Sequence, residues 1–196
     1  MYPIIKKAKA ITGSNLVLRD IRVDDAEFIL NLRLDPLKNR YLSATSNKLE
    51  DQIEWIRSYQ TNTDQAYFVI CDKHERRLGC IRMYDQIENS YCWGSWLMIN
   101  GLPPMASIES ALLIYAYGRH LGFEEARIDV YIENKDVCNF HENFFSAELV
   151  DETDVQKFYV IRKQTIERLL LKYARLLGNP LKIEPCQCNP AIRSEP

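Results

Sequence analysis

Residues 101–108 (GLPPMASI) join a strand-like run to a strongly apolar, helix-like one. The first amides of a helix have no intrahelical acceptor and sit at the positive end of its dipole. Such a junction can therefore hold a phosphate or carboxylate with no side-chain charge. The surrounding sequence carries almost none: thirty consecutive residues, 89–118, contain one formal charge, Glu109. At the chain's average, about eight would stand there. The plain alternative is a βα turn in which Pro103 and Pro104 only start the helix. Thiols are the second source of chemistry. Cys71, Cys80, Cys92 and Cys138 lie inside apolar segments, as small buried hydrophobes do. Cys186 and Cys188 form a lone C-x-C among prolines. No second Cys or His pair stands near it, so no metal site is expected, and the cysteine usage fits a reduced, cytoplasmic protein.

The elements that must position these groups fit one domain. At 196 residues the chain is long enough to bury a core without staples. Its 25 basic and 27 acidic residues give a net charge of −2. That balance excludes a protein built to coat nucleic acid, and the 46% hydrophobic content excludes an acidic disordered chain. Residues 1–7 (MYPIIKK) lack the long apolar run of a targeting segment. Gly94, Gly101, Pro103 and Pro104 interrupt the charge-poor window, so membrane insertion is not expected.

Residues 15–22 read as a strand, and Asp24-Asp25 open an amphipathic helix that ends near Asp35-Pro36. Residues 49–59 form a second helix, with Ile53, Trp55, Ile56 and Tyr59 on its buried side. Strands follow at 66–71, 78–84 and 90–99, with links short enough for antiparallel hairpins. Residues 106–120 are apolar nearly all round, the mark of a helix packed against a sheet in mid-domain, and Gly122 is its stop. A strand at 126–132, a helix at 135–145, a strand at 157–161 and a helix at 164–177 complete the pattern. Residues 1–178 are read as one domain and 179–196 as a Pro-rich extended tail. The fold class is α/β (mixed α+β), with a mostly antiparallel mixed sheet covered by helices on both faces. Its strands at 90–99 and 126–132 run parallel across a crossover.

Several segments in this order resemble the GCN5-related N-acetyltransferase (GNAT) superfamily: LVLRDIRVDDAEFILNLRLDP, QIEWIRSY, RLGCIRMYD, CWGSWLMI and ARIDVYIENKDVCNFHENFF. The resemblance covers residues 15–161. Within the superfamily it is most similar to amino-sugar N-acetyltransferases of surface-polysaccharide and nonulosonic acid pathways. It implies acetyl-CoA as cosubstrate and a nucleotide-linked deoxyamino sugar as acceptor, with the sugar's amine attacking the thioester directly. Backbone groups of Leu97, Met98 and Ile99 would pair with the pantetheine arm. Met105, Ala106, Ser107 and Ile108 would cradle the pyrophosphate, and Asn134 would contact the pantetheine or a catalytic water. The sequence departs from the family's pyrophosphate motif, with Pro103 at the basic position and Ala106 and Ile108 at the glycine positions.

His141 falls where the family often has a Tyr general acid, and an imidazolium there could protonate the departing thiolate. A Glu that some members use as base is replaced by Cys92. Glu109 is then the candidate base, its structural alternative being a first-turn acid interacting with the helix dipole. Substrate contacts are expected from Arg33, Tyr41, Arg82, Tyr84, Trp93 and Trp96, because arginines pair with diphosphates and rings stack on sugars or bases. Of Trp93 and Trp96, three apart on a strand, one should point to each face. Two alternatives stay open. One is a peptide or ribosomal-protein N-terminal acetyltransferase, which would have an acidic pocket. The other is a binding or regulatory module whose CoA site has degenerated. A homodimer is possible; the last helix more simply closes the core.

Overall fold

The computed structural model describes residues 1–42, 45–178 and 180–186. A hairpin of β1 (Ala8–Thr12) and β2 (Leu16–Asp20) leads into α1 (Ala26–Leu34) and α2 (Leu49–Thr61). A meander follows: β3 (Ala66–Asp72), β4 (Arg77–Ile87) and β5 (Ser90–Met98). Helix α3 (Ala106–Leu121) crosses to β6 (Glu125–Tyr131), and α4 (Lys135–Asn139) continues into a π-helical turn, Phe140–Phe144. Strands β7 (Glu148–Glu152) and β8 (Gln156–Arg162), helices α5 (Lys163–Lys172) and α6 (Ala174–Leu177), and β9 (Lys182–Pro185) complete the chain. One nine-stranded sheet has the order β7-β8-β6-β5-β4-β3-β2-β1-β9. Among the described residues, only β5 and β6 pair in parallel. The mixed, mostly antiparallel sheet expected from the sequence is the one observed.

Strand alternation sorts the core into two layers. On β3, Tyr67, Val69 and Cys71 face α1 and α2, where they meet Ile21, Ile29, Ile56 and Tyr59. Phe68 and Ile70 face the larger cluster around α3, which also takes in Ile166, Leu169 and Leu177. The last helical segment therefore closes the core. Helix α3 is buried nearly all round because the sheet covers one side and α5 and α6 the other. Gly118 lets it sit down on the sheet: a Cβ there would stand 2.4 Å from the Tyr91 ring. Gly122, at φ 97°, ends it. Asp35, extended before Pro36, ends α1.

Three elements go beyond the sequence reading. β1 is a short strand between β2 and β9, and β7 is a short edge strand. The stretch read as a tail also contributes β9, which pairs with β1. The rest of that tail, Asn179 and residues 187–196 with Cys188, lies outside the described residues. The helix read at 164–177 breaks at Tyr173. None of the described helices is long and apolar enough to cross a membrane.

Candidate active site

The sheet opens at its centre. β5 and β6 are paired only over Ser90–Cys92 and Glu125–Arg127. Beyond that vertex β5 stays on β4, with Cys80 opposite Leu97, and β6 stays on β8, with Asp129 opposite Phe158. The facing edges diverge and leave a wedge between two parallel strands. A bulge in β5 shapes it. Cys80 pairs with Leu97 but Arg82 with Gly94, so β5 carries one extra residue, and Ser95 takes φ 47°. Bulges bend a strand and increase its twist, which turns β5 away from β6.

The bulge also corrects the tryptophan reading. Tyr91 and Trp93 face the α3 layer before it, and the extra residue shifts the alternation so that Trp96 faces the same layer after it. The two indoles meet edge to face, 5.6 Å between centroids. Trp93 is 1% exposed and packs on Tyr115 and His141. It is a core residue, not a substrate contact.

The wedge exposes backbone selectively. Ile99 N–H donates to Leu78 O at 2.8 Å, so Ile99 is tied to β4. Alternation then turns the Leu97 peptide toward β4 as well and leaves the Met98 peptide facing the wedge. Of the three residues expected to offer backbone there, Met98 is the one free to do so.

At the head of α3, Met105 is the N-cap in the left-handed region, φ 65°. Ala106 N–H donates to Pro103 O and Glu109 N–H to Met105 O. The amides of Ser107 and Ile108 between them have no backbone acceptor among the described residues. The Ala106 and Ile108 side chains turn into the core, away from that opening. Asn134 caps α4 just past the end of β6, with its side chain making no cap hydrogen bond.

Neither expected catalytic side chain is placed as anticipated. Glu109 is 1% exposed. Its Oε1 accepts the Asn15 and Leu16 amides at 2.7 and 2.9 Å, and its Oε2 accepts Asn15 Nδ2 at 2.9 Å. That carboxylate fastens the β1–β2 turn to α3 and is not available as a base. His141 lies in the π-helical turn, enclosed by Trp93, Trp96, Phe140 and Phe145. Its Nδ1 has no partner, and burial pushes its pKa down to about 4. At neutral pH it is a neutral imidazole, not the imidazolium acid expected from its position in the sequence.

On the opposite face, below α1 and α2, lies a cavity of about 310 Å³. Arg33 comes from the last turn of α1, Arg82 from β4 and Ser95 from the bulge. Trp55, Gln52 and Asp51 come from α2, with Thr45, Ser46 and Tyr67 completing the wall. Arg33 Nε donates to Thr45 Oγ1 at 2.7 Å. The Arg82 guanidinium sits 5.4 Å from the Trp55 ring and 4.8 Å from the Tyr84 ring, and its buried Nε has no hydrogen-bond partner among the described residues. Burial lowers the Arg82 pKa. Of the expected substrate residues, Arg33 and Arg82 meet here, and Tyr84 adjoins through Arg82. Tyr41 does not: its hydroxyl donates to Glu133 O at 3.0 Å and its ring tilts on Tyr131, bridging the loop after α1 to the end of β6. Trp55 was read as buried. It is 37% exposed, and Asp51, one turn back, was the sequence signal that this face of α2 is polar.

Comparison with known proteins follows this geometry. The acetyltransferase (GNAT) domain model matches residues 15–144. The structure described as apo FdhC, a nucleotide-linked sugar GNAT, superposes with a TM-score of 0.77 at 34% identity. That match covers 86% of this chain and 98% of FdhC. A probable GNAT-family acetyltransferase from Chromobacterium violaceum superposes with a TM-score of 0.73 at 12% identity, covering 85% of this chain and 92% of its own. Mutant forms of the spermidine/spermine N-acetyltransferase SpeG from Vibrio cholerae give 0.64 at 15%, covering 78% and 96%. These last two similarities concern the fold. No curated protein matches the sequence. A domain model spanning most of the chain and a 34%-identical GNAT together show that this chain belongs to the GNAT family and is an N-acetyltransferase.

Proposed function

We propose that the protein transfers an acetyl group from acetyl-CoA to the amine of a nucleotide-linked deoxyamino sugar, in the cytoplasm, for surface-glycan synthesis. The observation that carries this reading is the cavity below α1 and α2. Two arginines, one with an unpartnered buried nitrogen, line it beside an indole face. Guanidinium groups pair with diphosphate oxygens, and indoles stack on bases and sugars. A peptide N-terminus is cationic and would call for carboxylates; among the described residues lining the cavity, Asp51 is the one acid. The likeness to FdhC, described as a nucleotide-linked sugar GNAT, supports the same substrate class.

The wedge fits an extended, amide-bearing arm. Met98 offers a peptide edge, and the free Ser107 and Ile108 amides suit a diphosphate without a basic side chain. Acetyl-CoA brings an acyl group already activated on a thiol leaving group. The chain's contribution is positioning: it holds the donor in the wedge and the acceptor against Arg33 and Arg82, so that the amine meets the carbonyl at the bulge.

The test is acetyl transfer to thymidine- and uridine-diphosphate-linked amino sugars, compared with transfer to peptide N-termini. The sugar nucleotides should be the acceptors. Arg82→Met should raise their KM about 10- to 100-fold, the worth of one charge-assisted hydrogen bond, with kcat less affected. Faster transfer to peptides, or an unchanged KM in the variant, would overturn the assignment.

A further inference from the structure

On the α1/α2 face at the wedge vertex, three side chains form a row across three strands: Tyr84 on β4, Cys92 on β5 and Asp129 on β6. Tyr84 and Cys92 are cross-strand partners, so their side chains share this face. The Tyr84 hydroxyl lies over Gly94, 2.9 Å from where a Cβ would stand, just before the bulge. Cys92 Sγ is 4.0 Å from Asp129 Oδ2. Ile128 and Val130 point into the α3 layer, so Asp129 points to the other face, shared with Arg82 and the cavity.

The Asp129 carboxylate is in an unusual position. Arg127, two residues back on the same face, turns away to bond the Asp85 side chain at 3.0 Å. Among the described residues no cation lies within ion-pair distance of Asp129. β8 sets Phe158 opposite it. The carboxylate still reaches solvent at the mouth of the wedge, so it can meet a ligand.

We propose that Asp129 is the general base that takes the proton from the acceptor amine. This rests on the acetyl-transfer reading above. An amine arrives in water largely as its ammonium, which has no lone pair to attack with. The ammonium gives one proton to the Asp129 carboxylate. The freed lone pair forms the C–N bond to the acyl carbon, and collapse of the adduct breaks the C–S bond. A second N–H proton leaves with the sulfur as thiol, and Asp129 returns its proton to solvent. The other two side chains of the row do not compete for the role. Burial, with Asp129 adding, pushes the Cys92 thiol up to about 12, and burial likewise raises Tyr84, so both stay protonated near neutrality. For Asp129 itself burial raises the pKa, Arg127 pulls it down and Asp85 raises it, which makes it a stronger base than an ordinary aspartate.

The experiment compares the full-length wild type with Asp129→Asn, using two acceptors. One is a sugar-nucleotide amine. The other is hydroxylamine, which is unprotonated at neutral pH and needs no base. Asp129→Asn should lose about 10²- to 10⁴-fold in kcat with the amine and little with hydroxylamine. The acid limb of the wild-type pH profile should vanish in the variant, and Asp129→Glu should restore part of the rate. Calorimetric affinity for acetyl-CoA should be unchanged. With carbon-13-labelled aspartates, the carboxyl resonance missing from Asp129→Asn should titrate above the ordinary range in the wild type. Equal losses with both acceptors, or none, would overturn the base assignment and leave the substrate reading standing. Transfer to hydroxylamine and simple amines but to no sugar nucleotide, with the same discrimination by Asp129→Asn, would overturn the substrate reading and support the base. A wild type that acetylates neither acceptor would overturn both.

Discussion

His141 makes the acid side of the stability curve predictable. Its pKa falls from 6.5 to about 4 in the folded protein, through burial. The unfolded chain therefore binds a proton between those values that the folded protein refuses. Above pH 6.5 neither state carries it, and stability is unaffected. As pH drops from 6.5 toward 4, the unfolded state is favoured with a slope approaching 1.4 kcal/mol per unit, and the loss levels off below the folded pKa. The full effect is about 3 kcal/mol, a large share of the ~5–15 kcal/mol that holds a domain together. Asp20 and Asp129 are also raised by burial and add to the acid side of the curve, so the wild-type curve alone would not isolate the histidine. The comparison is with His141→Phe, which keeps an aromatic ring among Trp93, Trp96 and Phe145 and removes the orphaned Nδ1. Urea unfolding of both proteins from pH 7.5 to 4 gives the free-energy difference at each pH. The variant should gain on the wild type by about 3 kcal/mol across the range. A difference that stays constant would mean that His141 titrates normally, and the case against its acting as an imidazolium acid would fall.

Glu109→Gln puts an NH₂ among three N–H donors, so it should cost about 2–3 kcal/mol in urea unfolding. A variant that is fully stable but inactive would instead restore Glu109 as a base. Gly118→Ala drives a methyl into the Tyr91 ring and should destabilise by about 1–3 kcal/mol. Adding Tyr91→Leu should recover part of that loss, and strictly additive effects would show that the close approach is not the cause.

What could be read in advance follows the strength of local pattern. Helix α3 was legible because a run apolar on every side has one stable place, between a sheet and other elements. β1, β7 and β9 were not. β7 is Glu-Leu-Val-Asp-Glu with every residue exposed, and outer strands keep charges that protect their edges, which erases the alternation a strand is recognised by. The Glu109 contacts with Asn15 and Leu16 join residues more than ninety positions apart, and no local pattern reports them. The tryptophan reading failed for a sharper reason. It assumed strict alternation along β5, and one extra residue at Ser95 reverses the faces beyond it. Serine carries no mark of that role. Arg33 and Arg82 were named from the family resemblance and the charge of the substrate it implied. Asp129 was missed because its role depends on where β6 parts from β5.

The charge-poor window takes on a different meaning in this light. Residues 89–118 supply β5, in the middle of the sheet, and α3, enclosed between sheet and helices. Burial alone excludes charge from both, since an unpaired ion in either would cost several kcal/mol. The head of α3 lies outside that packing: Pro103, at the family's basic position, is exposed, so burial does not set its lack of charge. The donors left there are the Ser107 and Ile108 amides, which need no side-chain charge. The guanidinium groups proposed to meet an anionic acceptor come from α1 and β4, on the other face of the sheet, where they line an open cavity. On the proposed reading, a single fold separates two anionic ligands by the means used to hold them, dipoles at the helix head and ions below α1 and α2. The wedge between β5 and β6 is where the reactive ends of the two can meet.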